Sequence, residues 1–159
     1  MSSEHLALAR ALHVCAIVMW IGGVAFVTTV LLPSVRRLKE PQQRVAFFEA
    51  IEGRFAWQAR ATTLLAGATG FYLTWVWDLW ERFTNPQFWW MHAMVAIWLL
   101  FTVMLFVAEP LFLHRWFIER ARREPERVFR RIERMHWLLL TLSVATVIGA
   151  VAGSHGGLN

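Results

Sequence analysis

The sequence predicts an all-α integral membrane protein in which four helices cross the bilayer as an up-and-down bundle, with helical extensions on the cytoplasmic side. Hydrophobic residues make up 57% of the 159 residues, and the mean hydropathy is +0.44, which is high for a soluble domain. The apolar residues form four runs bounded by charged residues, proline or glycine. Since about 20 apolar residues cross a bilayer as a helix, the length allows about four spans in a single domain covering residues 1–159.

The four apolar runs cover residues 6–32, 61–80, 88–113 and 137–151. The first run is too long for the apolar part of a signal peptide and lacks a convincing small-residue cleavage site, so we interpret it as a retained helix. The segments PQQRVAFFEAIEGRF and PERVFRRIERMHW precede the second and fourth runs. Each is amphipathic and begins with a proline, Pro41 or Pro125, a residue favoured at the first helical position. They therefore predict helical extensions that continue directly into the spans.

Basic residues are distributed unequally between the two sides of the predicted bundle. Only Arg10 and Arg82 lie on the side of the termini, and the other 14 of the 16 basic residues lie in the two loops after the first and third runs. These are Arg36, Arg37, Lys39, Arg44, Arg54 and Arg60, then Arg115, Arg120, Arg122, Arg123, Arg127, Arg130, Arg131 and Arg134. The positive-inside rule therefore predicts cytoplasmic loops and two periplasmic termini in a multi-pass protein of the bacterial inner membrane. Glutamates alternate with these arginines, so anionic lipid, and not nucleic acid, accounts for the charge of +5.

Two histidines are predicted at similar depth in spans one and three. At 1.5 Å per residue, His13 lies roughly 10 Å beyond residue 6, and His92 lies roughly 6 Å beyond residue 88. The two spans run in the same direction and are diagonal in an up-and-down bundle, so both imidazoles can project into one central space. This pattern predicts that His13 and His92 are the two axial ligands of a b-type haem iron. The alternative is that each histidine hydrogen-bonds to a hydroxyl group on a neighbouring helix.

The residues around His13 suit a flat macrocycle. Arg10 lies one turn away on the same helix face and is placed to pair with a haem propionate, or to anchor the helix at the membrane interface. Trp20 follows two turns after His13. Gly67 and Gly70 belong to a small-residue face in the second run that would leave room for the cofactor, although such faces also serve helix packing. They complete the predicted cofactor-binding set of His13, His92, Arg10, Trp20, Gly67 and Gly70.

The remaining polar candidates are weaker. His114 ends the third run and His136 precedes the fourth, so they would hold a second cofactor together or simply face solvent. His155 lies near the C-terminus, at the expected mouth of the site. Glu109 precedes Pro110 deep in the third run, where it would carry protons or cap a proline kink. The single cysteine, Cys15, cannot form an intramolecular disulfide.

The stretch LHVCAIVMWIGG in the first run resembles the first-helix signature of the CopD-like copper-resistance membrane proteins, in which a Leu-His pair is followed by Trp-x-Gly-Gly. It is also similar to the first helix of the HemJ-type protoporphyrinogen oxidases. Weaker similarity continues through GATGFYLTW and WWMHAMVAIWLL in the second and third runs.

The two resemblances imply different chemistry. The HemJ-type resemblance implies b-type haem bound by a first-helix histidine at His13 and by a third-helix lysine near His92. This sequence lacks that lysine, which argues against protoporphyrinogen oxidation but is compatible with haem binding. The CopD-like resemblance implies copper uptake. Cys15 and Met94 offer soft ligands for copper, but each lies two residues from a histidine, which on a helix turns it about 200° away.

The sequence thus predicts a haem b protein that transfers electrons or acts as a small membrane oxidoreductase. The alternatives are a copper uptake or resistance protein, a HemJ-like protoporphyrinogen oxidase, and a haem-free scaffold. A quinone in the bilayer or a soluble periplasmic redox protein is the expected electron partner. Small-residue faces would also allow homo-oligomerisation.

Overall fold

The structure, a computed structural model, describes residues 3–38 and 40–155, which are helical almost throughout. The side chains at positions 41, 114, 115, 118 and 122 lie outside this description. Lys39 of the first basic loop and the C-terminal Asn159 also lie outside the described residues, as does the side chain of the predicted candidate His114.

The first long helix is widened near its end. It comprises α1 (Ser3–Phe26), a first π segment (Val27–Leu31) and α2 (Leu32–Arg37). Pro33 lies in α2 and has no N–H group, and its ring clashes with the carbonyl one turn earlier in a regular α-helix. A π turn directly before the proline is one of the known ways to accommodate such a distortion.

The next helix, α3 (Pro41–Val76), begins at Pro41, as the sequence predicts for the first extension. It ends at Val76, whereas the predicted span continues to residue 80. Asp78 adopts a left-handed conformation with φ of 50°, which ends the helix and reverses the chain. Two short 3₁₀ turns, Leu79–Phe83 and Pro86–Phe88, then lead into the third long helix.

The third long helix comprises α4 (Trp89–Val103), a second π segment (Met104–Leu113) and α5 (His114–Arg123). The second π segment contains Pro110. The last helix, α6 (Pro125–Ser154), begins at Pro125, so the second helical extension is also confirmed. The two long helices that carry a proline beyond their first turn, Pro33 and Pro110, therefore both have π-helical turns near it.

Within the described residues, three helical stretches are long and apolar enough to cross a membrane: Ser3–Arg37, Pro86–Leu113 and Pro125–Ser154. Helix α3 is not among them, so four spans are not confirmed. The apolar half of α3 is diluted by glycines and by four threonines, Thr62, Thr63, Thr69 and Thr74. Three of these hydroxyls donate to the carbonyl one turn earlier in α3, which lowers the cost of placing them between helices.

Each of the four long helices packs against two neighbours. Helix α1 packs against α3 and α6, and α4 packs against the same two helices. At one end of the bundle, the guanidinium of Arg10 lies over the ring of Trp77, and Gly153 lies against the ring of Trp90. Neighbouring helices are therefore antiparallel, and α1 and α4 are diagonal and run in the same direction. We call the end at which α1 begins the amino end, and the opposite end the extension end.

Two apolar clusters hold these helices together. In the central cluster, Trp20 of α1 and Phe101 of α4 meet edge to face, with ring centroids 4.9 Å apart. At the extension end, Phe48, Phe117 and Phe129 pack against one another from α3, α5 and α6. The helical extensions thus have a core of their own, beyond the central part of the bundle.

Candidate functional site

His13 lies in α1, half-buried against the small-residue face of α3. Its Nδ1 atom is 3.0 Å from the carbonyl oxygen of Ala66 and 3.0 Å from Oγ1 of Thr69. A Cβ atom placed on Gly70 would lie 3.0 Å from Cε1 of the imidazole. The glycine therefore allows α3 to approach the ring this closely, and two helices determine the position of His13.

These contacts determine which ring nitrogen of His13 can bind a ligand. A carbonyl oxygen only accepts hydrogen bonds, so Nδ1 carries the proton and donates to Ala66. The Thr69 hydroxyl donates its own proton to the carbonyl of Leu65, at 2.6 Å, and can therefore only accept from His13. Nε2 is left with its lone pair. Histidines that bind metals are commonly oriented in this way, with the other ring N–H donated to a backbone carbonyl.

Two other predicted residues lie on the same side of α1. Arg10 is exposed, and its guanidinium carbon lies 5.0 Å from the centroid of the Trp77 ring, a cation–π contact at the amino end. Trp20 is only 4% exposed, and its Nε1 has no hydrogen-bond partner among the described residues. A buried N–H without a partner is costly. The central packing of the bundle therefore leaves the Nε1 donor of Trp20 unsatisfied.

Aromatic rings lie against several of the glycines that the sequence analysis assigns to small-residue faces. A Cβ atom on Gly67 would lie 2.6 Å from the indole of Trp98, which also donates from Nε1 to the carbonyl of Thr63 at 2.9 Å. On α6, Gly149 and Gly153 lie against the rings of Trp89 and Trp90 in the same way. Aromatic rings of neighbouring helices occupy these notches, because an indole packed on a glycine buries apolar area on both helices.

His92 is placed differently from His13. It lies on an exposed part of α4, and its Nε2 is 2.9 Å from the carbonyl oxygen of Phe83, whose ring it also meets edge to face. Since the carbonyl can only accept, Nε2 carries the proton, and Nδ1 is the nitrogen with a lone pair. In the described structure His92 therefore connects α4 to the loop after α3, and it makes no described contact with His13.

Helical phase explains this difference. His13 precedes Trp20 by seven residues, or two turns, so both lie on one face of α1. His92 precedes Phe101 by nine residues, or two and a half turns, which places it on the face of α4 opposite to Phe101. Met94 precedes Phe101 by seven residues and is half-buried. By helical phase, Met94 therefore lies on the same face of α4 as Phe101, at about the depth of His13.

The two weaker histidine candidates that the structure describes lie at opposite ends of α6. His155 is exposed at the amino end, and its Nδ1 is 2.8 Å from the carbonyl oxygen of Val151. His136 is half-buried near the extension end, and its Nδ1 is 2.9 Å from the carbonyl oxygen of Ile132. Each therefore keeps a lone pair on Nε2. Among the described residues no group of three or more His, Cys, Asp or Glu side chains could hold a metal ion.

A cavity of about 530 Å³ lies between the long helices toward the extension end, and sequence reasoning missed it. Val27 and Leu31 of the first π segment line it, together with Met104 and Glu109 of the second. The widened turns next to the two prolines therefore border this space, and π turns are frequent at functional sites. His136 also lines the cavity.

A charged pair beside the cavity compensates for the proline in the second π segment. In a π turn, the N–H at position 110 would donate to the carbonyl of Leu105, but Pro110 has no N–H. The guanidinium of Arg60 takes its place, donating from Nε to that carbonyl at 3.0 Å and pairing with the carboxylate of Glu109. The sequence signal for this site was an acidic residue directly before a proline within an apolar run.

Comparisons of the chain with protein-family models, with curated proteins and with solved structures found no match. The resemblance to CopD-like and HemJ-type proteins therefore stays a prediction, carried by the residues of the first helix.

Proposed function

We propose that this chain is a four-span protein of the bacterial inner membrane that binds one b-type haem at the amino end of its bundle and transfers single electrons. Helix α3 is the fourth span in this proposal, and both termini are periplasmic because the basic residues are concentrated at the extension end. When bound, the haem supplies a one-electron iron couple. The protein supplies the ligands, a low-dielectric environment and the exclusion of water.

The observation that carries the proposal is the hydrogen bonding of His13. Its Nδ1–H is donated to the carbonyl of Ala66, so the neutral imidazole keeps the lone pair of Nε2, which is the donor that an iron ligand needs. The position is half-buried within an apolar helix, where an imidazole without a function is unfavourable. The donor chemistry of His13 would therefore suit a ligand of haem iron, although aromatic rings fill the glycine notches nearby.

The second ligand would come from α4, where the sequence and the structure favour different residues. His92 is the residue that sequence depth predicts, but helical phase places it on the face of α4 opposite to Phe101. Met94 lies on the same face as Phe101, and a thioether is an established haem ligand that raises the potential relative to a second histidine. Copper binding is less favoured, because Cys15 is exposed and lies two residues from His13 on the helix.

The test is the absorption spectrum of protein purified in detergent after expression with ample haem supply. We expect a Soret band that shifts on reduction with dithionite, and its loss or conversion to a high-spin form in His13→Ala. His136→Ala is the matched control, because His136 also donates Nδ1–H to a backbone carbonyl but lies at the extension end. Comparing His92→Ala with Met94→Ala then identifies the ligand on α4.

A colourless wild-type preparation would refute the proposal. A spectrum that is bleached by His136→Ala and unchanged by His13→Ala would move the haem to the extension end. Reporter fusions test the orientation separately, since periplasmic activity is expected after the last residue of α6 and cytoplasmic activity between α5 and α6.

A further inference from the structure

The cavity at the extension end has the properties of a ligand site separate from His13. Its volume of about 530 Å³ lies within the range of about 300–1,000 Å³ that is usual for small-molecule sites. Aromatic side chains from α3, the second π segment and α5 line it, including Phe48, Phe112 and Trp116. Flat aromatic walls favour a ligand with a flat ring, because stacked and edge-to-face contacts use the full ring area.

The charges around the cavity favour a neutral ligand over an anionic lipid head group. Two acidic residues, Glu52 and Glu109, and one basic residue, Arg131, line the cavity, and Glu109 pairs with Arg60. The lining therefore carries no excess of positive charge that would hold a phosphate or a fatty-acid carboxylate. The guanidinium of Arg60 is already used by Glu109 and by the carbonyl of Leu105. Arg131 lies over the ring of Trp116, 5.6 Å from its centroid, and is directed there by a cation–π contact.

His136 adds a hydrogen-bond acceptor to this apolar lining. Its Nδ1–H is donated to the carbonyl of Ile132. Nε2 therefore keeps its lone pair and can accept a hydrogen bond from a hydroxyl group. The imidazole lines the cavity and is half-buried. A ligand with a ring hydroxyl would therefore find an acceptor among aromatic and aliphatic side chains.

We propose that this cavity binds a lipophilic quinol, a neutral aromatic ring with two hydroxyl groups and an apolar tail, with one hydroxyl donating to Nε2 of His136. Leu111 and Phe112 are exposed apolar residues of the second π segment. Phe112 also lines the cavity. These two residues provide an apolar route from the bilayer for the tail. The proposal concerns binding alone and does not depend on haem at His13.

Binding is tested by isothermal titration of the full-length protein in detergent micelles with a reduced short-chain ubiquinone, decylubiquinol. Wild type should bind it saturably at one molecule per chain, whereas empty micelles only absorb it in proportion to its concentration. His136→Leu replaces the imidazole with an apolar side chain of similar size and removes the hydrogen-bond acceptor. We expect the affinity for the quinol to fall about fivefold, the usual effect of one hydrogen bond. His136→Gln restores an acceptor and should recover part of the affinity.

A second variant addresses the space itself. Ala56 is buried and lines the cavity, so Ala56→Phe should fill it and abolish saturable binding, while helix content measured by circular dichroism shows whether the variant folds. His155→Leu is the matched surface control and should bind as wild type does.

The proposal is overturned if wild type takes up the quinol no more than empty micelles do, or if His136→Leu binds it as tightly as wild type. It is also overturned if lauric acid competes at equal concentration, since the site would then accept any acyl chain. Because haem content is read separately from the Soret band, loss of quinol binding and loss of haem are distinguishable.

Discussion

Replacing Gly67 by alanine tests whether aromatic rings fill the glycine notches of the bundle. The new Cβ would lie 2.6 Å from the indole of Trp98, a distance that real Cβ contacts do not reach, so the ring must move. Moving it also weakens the hydrogen bond from Nε1 to the carbonyl of Thr63. Overpacking costs typically 1–3 kcal/mol, and the hydrogen bond contributes about 1 kcal/mol.

Alanine also stabilises a helix by about 1 kcal/mol relative to glycine, which offsets part of this loss. We therefore expect Gly67→Ala to lower the free energy of unfolding by about 2 kcal/mol. Gly53→Ala is the matched control on the same helix, because no atom lies within 4 Å of its Cβ position. That variant should raise stability by about 0.5–1 kcal/mol.

The assay is unfolding of both variants in one detergent, followed by helical circular dichroism and by tryptophan fluorescence. Gly67→Ala should unfold at lower temperature than wild type, and Gly53→Ala at higher temperature. If Gly67→Ala is as stable as Gly53→Ala, the notch is not occupied by Trp98. An open slot at the amino end, as the sequence suggests, would then be the better description.

Three further predictions concern charges. If the guanidinium of Arg10 leaves Trp77 to pair with a haem propionate, Arg10→Gln should lower the haem midpoint potential by roughly 40 mV, which corresponds to about 1 kcal/mol for one electron. The potential is measured by redox titration. An unchanged potential at normal haem content would make Arg10 an interfacial anchor only. Arg60→Met should destabilise the bundle by about 1–3 kcal/mol, because it leaves the Glu109 carboxylate and a backbone carbonyl without their partner. Adding Glu109→Gln should recover part of that loss in thermal unfolding, and simple additivity of the two variants would contradict a direct pair. A reporter fused after Asn159 should be active in the periplasm, and cytoplasmic activity there would invert the orientation.

Local signals in the sequence were sufficient for the helices and several of their ends. Pro41 and Pro125 begin α3 and α6 because proline is favoured in the first helical turn and cannot continue a preceding one. The end of α3 was less predictable. The apolar pattern continues to Trp80, but the chain turns at Asp78, where a left-handed residue reverses it. Apolar composition does not distinguish a span from an aromatic-rich loop at its end.

The candidate site was predictable only in part. Depth along a helix follows from residue number, so His13 and His92 could be matched in depth from the sequence. Which face each presents depends on how the helices are rotated in the bundle, and this rotation is determined by packing such as the contact of Trp20 with Phe101. Relative to that contact, helical phase places Met94 on the same face of α4 as Phe101 and His92 on the opposite face.

The sequence by itself determined that the chain is helical and apolar enough for a membrane, and that its charges are concentrated on one side. These properties depend on the composition of the chain and on the spacing of its apolar and charged residues. Packing against neighbouring helices does not change either. Only the tertiary structure decided that aromatic rings fill the glycine notches, that Arg60 replaces the hydrogen bond missing at Pro110, and that a cavity lies beside His136. Each of these features joins residues far apart in sequence, so it depends on how side chains from different helices share the same space.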